Sequence, residues 1–187
     1  MRIIAGKHKN RTIPTLKQLN YRPSTTKFRE ALFSILSSGD FTDSKPVIGA
    51  KVLDLFAGTG GLSFEALSRG ANSILLIDNK EEHLKIAKEF AQHIGEEFNC
   101  KVLLMNALNL LASKEQYDLV FIDPPYYNNY VTKVLNSLIE KKWLANNAII
   151  ATEMFKHDKC EIPNSLQLIK KKIYGNNKLL ILRYGKS

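Results

Sequence analysis

The tetrapeptide Asp123-Pro124-Pro125-Tyr126 follows Tyr117-Asp118-Leu119-Val120-Phe121-Ile122, a mostly apolar run of strand-forming residues that stops at a carboxylate. Two successive prolines fix φ and remove two backbone donors, so a strand cannot continue through them. The chain leaves as a stiff loop with Asp123 at its root and Tyr126 at its tip. In an open α/β sheet, ligands bind at that carboxyl edge. A carboxylate and a free Pro124 carbonyl can accept the two hydrogens of a planar exocyclic amine while the tyrosine ring stacks on its plane. The same residues would also serve as a plain strand-ending turn with a surface tyrosine. Their company has to decide.

The strongest companion is Val52-Leu53-Asp54-Leu55-Phe56-Ala57-Gly58-Thr59-Gly60-Gly61-Leu62-Ser63, a strand that meets an acid and then a glycine-rich turn opening a helix. Glycines let a backbone approach a ligand that side chains would exclude. Gly58 and Gly60 lack a third glycine at position 63, where Ser63 stands, and Asp54 would repel a pyrophosphate, so this is not the dinucleotide fingerprint. An acid there suits a cationic ligand such as an ammonium or a sulfonium. Asp54, Phe56, Gly58 and Gly60 are therefore candidate ligand contacts. Asp78 ends a second apolar run twenty residues beyond Gly58, where an acid commonly accepts hydrogen bonds from ribose hydroxyls. With Asn79 it could equally be a helix cap. Asn106-Ala107, after a third run, could offer an amide to an adenine ring.

The elements that must position these residues alternate. Strands are predicted over 51–56, 73–78, 102–105, 117–123 and 148–153, with helices over 60–69, 79–95 and 130–141 between them. In the second helix Asn79 and Glu82 read as an N-cap and its N3 partner, closed by Gly95. Runs 166–174 and 179–184 flank Gly175-Asn176-Asn177 and read as a terminal hairpin. The economical solution is a doubly wound, mostly parallel seven-stranded α/β sheet ending in an antiparallel hairpin. Residues 1–20 read as a basic β-hairpin or arm, with Ile3-Ile4 as its apolar strip and Gly6 and Pro14 as breakers. A helix with Phe28, Ala31, Leu32, Ile35 and Leu36 at core spacing follows. The expected organisation is one domain over 1–187, with 1–40 as an N-terminal extension of a catalytic core over 48–187.

The 187 residues carry a net charge of +9. Arg2, Lys7, Lys9, Arg11, Lys17, Arg22, Lys27 and Arg29 all precede the first acid, Glu30. A patch of one sign at this density points to a polyanion, with Arg2, Lys7, Lys9, Arg11 and Arg22 as candidate nucleic-acid contacts. No apolar run reaches bilayer length, residues 1–7 lack a signal-peptide core, and Cys100 and Cys160 cannot make a disulfide framework. A cytoplasmic monomer is the expectation. His8, His83, His93 and His157 lack ligand spacing, so no metal is expected; His83 and His93 read as residues of a surface helix.

Asp54-Leu-Phe-Ala-Gly-Thr-Gly, Asp78 and Asp-Pro-Pro-Tyr in this order resemble the S-adenosyl-L-methionine-dependent amino-methyltransferases, which modify exocyclic amines of nucleobases. Further segments make the chain similar to the RsmD-like small-subunit (16S) rRNA (guanine-N2) methyltransferases: Arg2-Ile3-Ile4-Ala5-Gly6, Arg22-Pro23-Ser24-Thr25, Arg29-Glu30-Ala31-Leu32-Phe33, Glu65 to Ala71 and Trp143-Leu144. The chain departs from that pattern at Ala5, at Lys9-Asn10-Arg11, and at Ser24 and Thr26.

The resemblance implies a class I methyltransferase fold, S-adenosyl-L-methionine as cofactor, and rRNA or the assembling small subunit as partner. It implies catalysis by Asp123, Pro124 and Tyr126, and contact of Pro125 with the RNA. It also implies that the segment from Arg22 to Glu30 folds over the pocket, with Arg22 on a phosphate or cofactor carboxylate and Thr26 near the cofactor. Arg29 and Glu30 could instead be an exposed helix pair, and Glu153 either orients the loop or caps its strand. A DNA adenine-N6 or cytosine-N4 methyltransferase shares the tetrapeptide, but 187 residues leave little room for a base-reading domain. A non-catalytic RNA-binding assembly factor would not need Asp54, Asp78 and Asp123 together. A nicotinamide oxidoreductase has the wrong glycine spacing.

Overall fold

A computed structural model of the protein describes residues 1–15, 26–38, 45–125 and 130–185; Arg22 and Tyr126 lie outside the described residues. The chain opens as a hairpin, with an antiparallel bridge between Arg2 and Thr12 and backbone hydrogen bonds tying Ile3 to Arg11 and Ile13 to Met1. Ile3 and Ile13 point into the core and are fully buried, which fixes the arm to the molecule. Gly6 lies so close to the next layer that a Cβ would fall 1.8 Å from the Ser68 carbonyl oxygen.

Helix α1 (Thr26–Ser37) is followed by strand β1 (Lys51–Leu55), helix α2 (Gly61–Ser68), strand β2 (Ser73–Asp78), helix α3 (Glu81–His93) and strand β3 (Cys100–Leu104). A 3-10 turn over Ala107–Asn109 leads to β4 (Tyr117–Ile122), α4 (Tyr130–Glu140), β5 (Leu144–Phe155), β6 (Leu166–Tyr174) and β7 (Asn177–Tyr184). They form one seven-stranded sheet in the order β3-β2-β1-β4-β5-β7-β6. The first five strands run parallel, and β7 lies antiparallel to both β5 and β6. This is the doubly wound sheet with a terminal hairpin that the sequence predicts. Its order reverses between β1 and β4, which makes the carboxyl end of that pair the switch-point crevice.

Side-chain alternation divides the core into two layers. Val52, Leu76, Phe121, Ile149 and Ile181 face α1, α2 and α3. Leu53, Leu55, Ile77, Val120, Ile122 and Leu182 face α4 and Trp143. Asp54 and Asp78 continue the first face, in step with Val52 and Leu76. Both carboxylates are thus delivered to the side of the sheet that carries α1, α2 and the N-terminal hairpin.

Four local expectations need correction. Helix α3 begins at Glu81 with Lys80 at its N-cap and no side-chain cap, so Asn79 lies one residue ahead of the cap position; Asp78, at the strand end, accepts the Lys80 amide at 2.9 Å in the turn leading in. His83 is buried, not on the surface, because the first turn of α3 packs its ring against Asp78 (3.5 Å). Strand β5 begins at Leu144 rather than at Ala148, because Leu144 pairs with Tyr117 ahead of a register shift that absorbs the polar Asn146-Asn147 pair. Arg29 is 1% exposed, so it is no partner of the exposed Glu30. It lies on the core face of α1, 3.8 Å from the buried Glu65.

Candidate active site

Asp54, one residue before the end of β1, sits in register with Leu76 of β2 and Phe121 of β4. One of its oxygens accepts the Ser63 hydroxyl at 2.6 Å; the other is buried and has no hydrogen-bond partner among the described residues. Burial raises its carboxyl to about 7; the Ser63 bond opposes this, and the negative charges of Asp123 and Asp78 add to it. A site that raises a carboxyl this far is poised for a cation, which would restore the ionised form.

The turn beyond β1 is unusual. Phe56 has a φ of 63°, a left-handed conformation that is an outlier for a bulky residue and clusters at functional sites. Its ring stacks on Tyr130 at the start of α4, with centroids 6.3 Å apart and planes 10° apart. Gly60 then takes φ 85° as the residue before α2, and a Cβ there would come within 2.6 Å of Leu76 Cδ2. Its glycine is required by the core beneath as much as by any ligand above.

Asp78 holds this turn from the neighbouring strand. Its Oδ2 accepts the Gly58 amide at 2.8 Å and its Oδ1 the Lys80 amide. Each oxygen keeps a second lone pair, so the carboxylate can still accept from a hydroxyl. Asn79 is exposed beside it. Asn106 accepts the Leu108 amide through its side-chain oxygen at 2.9 Å, which leaves its NH2 group to donate; Ala107 is buried behind it. Thr26, the first residue of α1, is exposed.

Asp123 follows the last residue of β4 and lines one pocket with Asp54, Phe56, Ala57, Gly61, Leu62 and Met1. Pro124 is buried and Pro125 exposed, so the stiff segment leaves the sheet at its second proline. Asp54 and Asp123 therefore face a common space at the switch point, Asp78 grips its floor, and Asn106 stands on the next strand's end. Glu153 is set apart: it is buried on β5 and accepts the Asn177 amide at the head of the β6–β7 hairpin, a structural tie.

The hairpin cations Arg2, Lys7, Lys9 and Arg11 are all exposed, and Lys7 also lies 2.9 Å from Glu96. Glu96 is buried, yet hydrogen bonds from Asn99, His8 and Lys7 outweigh that burial and hold its carboxyl at about 2. Sequence reasoning missed Ser63, Glu65 and Met1. Glu65, fully buried on α2, accepts the amides of Ile4 (2.8 Å) and Ala5 (3.1 Å) and the Arg69 guanidinium (2.7 Å). Among the described residues there is no group of three or more metal-ligating side chains, and no helix is long and apolar enough to cross a membrane.

The sheet order, the helices on both its faces and the acid-lined switch point define a class I methyltransferase of Rossmann-like fold. Within that class the chain belongs to the RsmD-like family described as conserved hypothetical protein 95, whose model matches residues 1–183. An uncharacterized methylase of Rickettsia prowazekii is 40% identical over 99% of this chain and 98% of its own length. The ribosomal RNA small subunit methyltransferase D of Buchnera aphidicola from Acyrthosiphon pisum is 37% identical over 91% of this chain and 86% of its own. A solved Escherichia coli structure, provisionally described as a methyltransferase, superposes with a TM-score of 0.85 at 29% identity, covering 99% of this chain and 98% of that one. An RNA methyltransferase from Salinibacter ruber, solved with S-adenosyl-L-homocysteine, shares the fold (TM-score 0.65, 12% identity, 89% and 95% covered).

Proposed function

We propose that this protein transfers a methyl group from S-adenosyl-L-methionine to the exocyclic N2 amine of a guanine in small-subunit (16S) rRNA, with residues 1–187 acting as one methyltransferase domain. The observation that carries this reading is the pairing of Asp54, a buried carboxylate with an orphaned oxygen, and Asp123 of Asp-Pro-Pro around one pocket. The relative named for small-subunit rRNA methylation supports the choice of substrate.

The residues fit the donor. Asp54 has a buried acceptor unspent and a carboxyl held near neutrality, which a ligand cation would complement. Phe56, Gly58 and Gly60 form the turn beside it, Asp78 and Asn79 offer acceptors for a ribose, and Asn106 and Ala107 flank the place of a purine; Thr26 closes from α1. S-adenosyl-L-methionine supplies an electrophilic methyl group on a sulfonium.

The remaining chemistry belongs to the chain. A guanine N2 lone pair is delocalised into its ring, so the nitrogen is a poor nucleophile. Asp123 and the Pro124 carbonyl accept its two hydrogens, which favours a more tetrahedral nitrogen and aims its lone pair. As positive charge grows there, Asp123 stabilises it electrostatically. A strong base is not needed, because the amine proton becomes acidic only as the bond forms; Asp123 then accepts it. Most of the rate comes from this positioning. Tyr126 stacks on the base beside Pro125, and the base must first leave its own stack, which favours loops or single strands. Arg2, Lys9 and Arg11, with Lys7 and Arg22, contact the RNA backbone.

Nucleoside analysis of small-subunit rRNA tests this in cells. RNA from cells lacking the protein should lose an N2-methylguanosine, restored by the wild-type protein but not by Asp123→Ala. An unchanged content of that nucleoside would count against the reading.

A further inference from the structure

Among the described residues, Met1 is the one lining residue of the pocket that comes from the N-terminal hairpin, and the sequence gives no hint of its presence there. Its backbone is fixed by the Ile13 amide, which donates to the Met1 carbonyl at 2.6 Å. The strand it begins lies along α2: Ile4 and Ala5 donate to Glu65, and the His8 amide donates to Ser68 Oγ at 2.9 Å. A second anchor reaches the far end of α3, where Lys7 and His8 meet Glu96. The hairpin thus has no freedom to lift Met1 away without breaking buried polar contacts.

Gly61 is the other half of this arrangement. It occupies the first position of α2, where alanine is the better helix former on intrinsic grounds. A Cβ at that position would lie 2.2 Å from Met1 Cε and 2.7 Å from Met1 Sδ. The space a side chain would fill is taken by the thioether, in the same pocket as Asp54 and Asp123.

Resting on the methyl-donor reading above, we propose that Met1 is a positioning residue of the donor site, and that the N-terminal hairpin builds one wall of the space in which the methyl group is passed. An unbranched, polarizable side chain adapts its shape to the ligand it packs against.

The chain has three methionines, Met1, Met105 and Met154, so protein labelled at its methionine methyl carbons gives three methyl resonances, assigned with Met105→Leu and Met154→Leu. Met105 packs against the same layer as Met154, but its backbone amide donates to the Asp78 carbonyl and it precedes Asn106, so it reports on the Asp78 end of the site; Met154 is buried on β5 and serves as a control. Titration with S-adenosyl-L-homocysteine should move the Met1 and Met105 resonances and leave Met154 in place. Movement of Met105 without Met1 would overturn the role of Met1 while leaving the donor reading intact. No binding of S-adenosyl-L-homocysteine or S-adenosyl-L-methionine by calorimetry would sink both. Gly61→Ala should shift the Met1 resonance in the free protein and weaken S-adenosyl-L-methionine binding about tenfold; a shifted resonance with unchanged affinity would also overturn the proposal.

Discussion

Ser63 donates its hydroxyl to Asp54 across the mouth of the glycine turn, 2.6 Å from one carboxylate oxygen, and the other oxygen is left buried without a partner among the described residues. Position 63 is where a dinucleotide-binding turn would carry its third glycine. Here the hydroxyl fixes the orientation of an acid instead, and burial raises that acid's carboxyl to about 7.

Asp54 should make donor binding pH-dependent. Its folded carboxyl is raised from 3.8 to about 7, chiefly by burial. Between those values the folded chain binds more protons than the unfolded one, so stability falls as pH rises through that window. A cationic ligand reverses the preference, so S-adenosyl-L-methionine should displace a proton at about pH 6.5. Affinity should then rise with pH by up to about tenfold per unit below the raised pKa and level off above it. Calorimetry in buffers of different ionisation enthalpy measures the proton count. Asp54→Asn should abolish the release and weaken binding; proton-neutral binding by the wild type would exclude Asp54 from the donor site.

Glu65 should matter more to stability than any surface ion pair. It is fully buried between Arg69 and Arg29 and holds the Ile4 and Ala5 amides besides. Removing one partner of a buried pair costs about 3–5 kcal/mol, because the other charge is left without compensation. Glu65→Ala should lower the urea unfolding free energy by about that amount. A loss below about 1 kcal/mol, the range of exposed pairs, would mean that water replaces the carboxylate.

The hairpin cations should separate into two kinds. Arg2, Lys7, Lys9 and Arg11 are all exposed, but Lys7 alone is paired with a buried carboxylate, Glu96, among the described residues. Replacing Arg2, Lys9 and Arg11 by alanine should flatten the slope of log affinity against log salt for rRNA by about 2, given roughly 0.7 per single-stranded phosphate contact. Lys7→Ala should change the slope less. Filter binding across a salt series distinguishes these cases, and equal effects from Lys7 alone and from the triple variant would move the RNA face elsewhere.

Much of this was legible in the sequence because the core layers are written as apolar runs that stop at acids. The run ending at Asp78 and the run 166–174 match β2 and β6 residue for residue. What stayed hidden depends on partners distant in the chain. Arg29 looks like an ordinary surface cation beside Glu30, and only the packing of α1 on α2 brings it to Glu65. His83 has the spacing of a polar helix face, yet the packing of α3 on the sheet buries its ring beside Asp78 of the preceding strand. Asn79 has a good capping side chain, but the helix starts one residue later than its cap position requires, after a turn in which Asp78 accepts the Lys80 amide. Met1 was invisible for the same reason, since its place in the pocket follows from the hairpin lying along α2 rather than from its own neighbours.

Transfer of a labelled methyl group tests the assignment of guanine N2 most directly. Purified protein, S-adenosyl-L-methionine labelled on its methyl carbon, and small-subunit rRNA from cells lacking the protein are incubated together, and the RNA is digested to nucleosides. The label is predicted in N2-methylguanosine, with Asp123→Ala slowing transfer by at least about 10²-fold while donor affinity stays within a few-fold. Label in any other nucleoside, or full activity in Asp123→Ala, would contradict it.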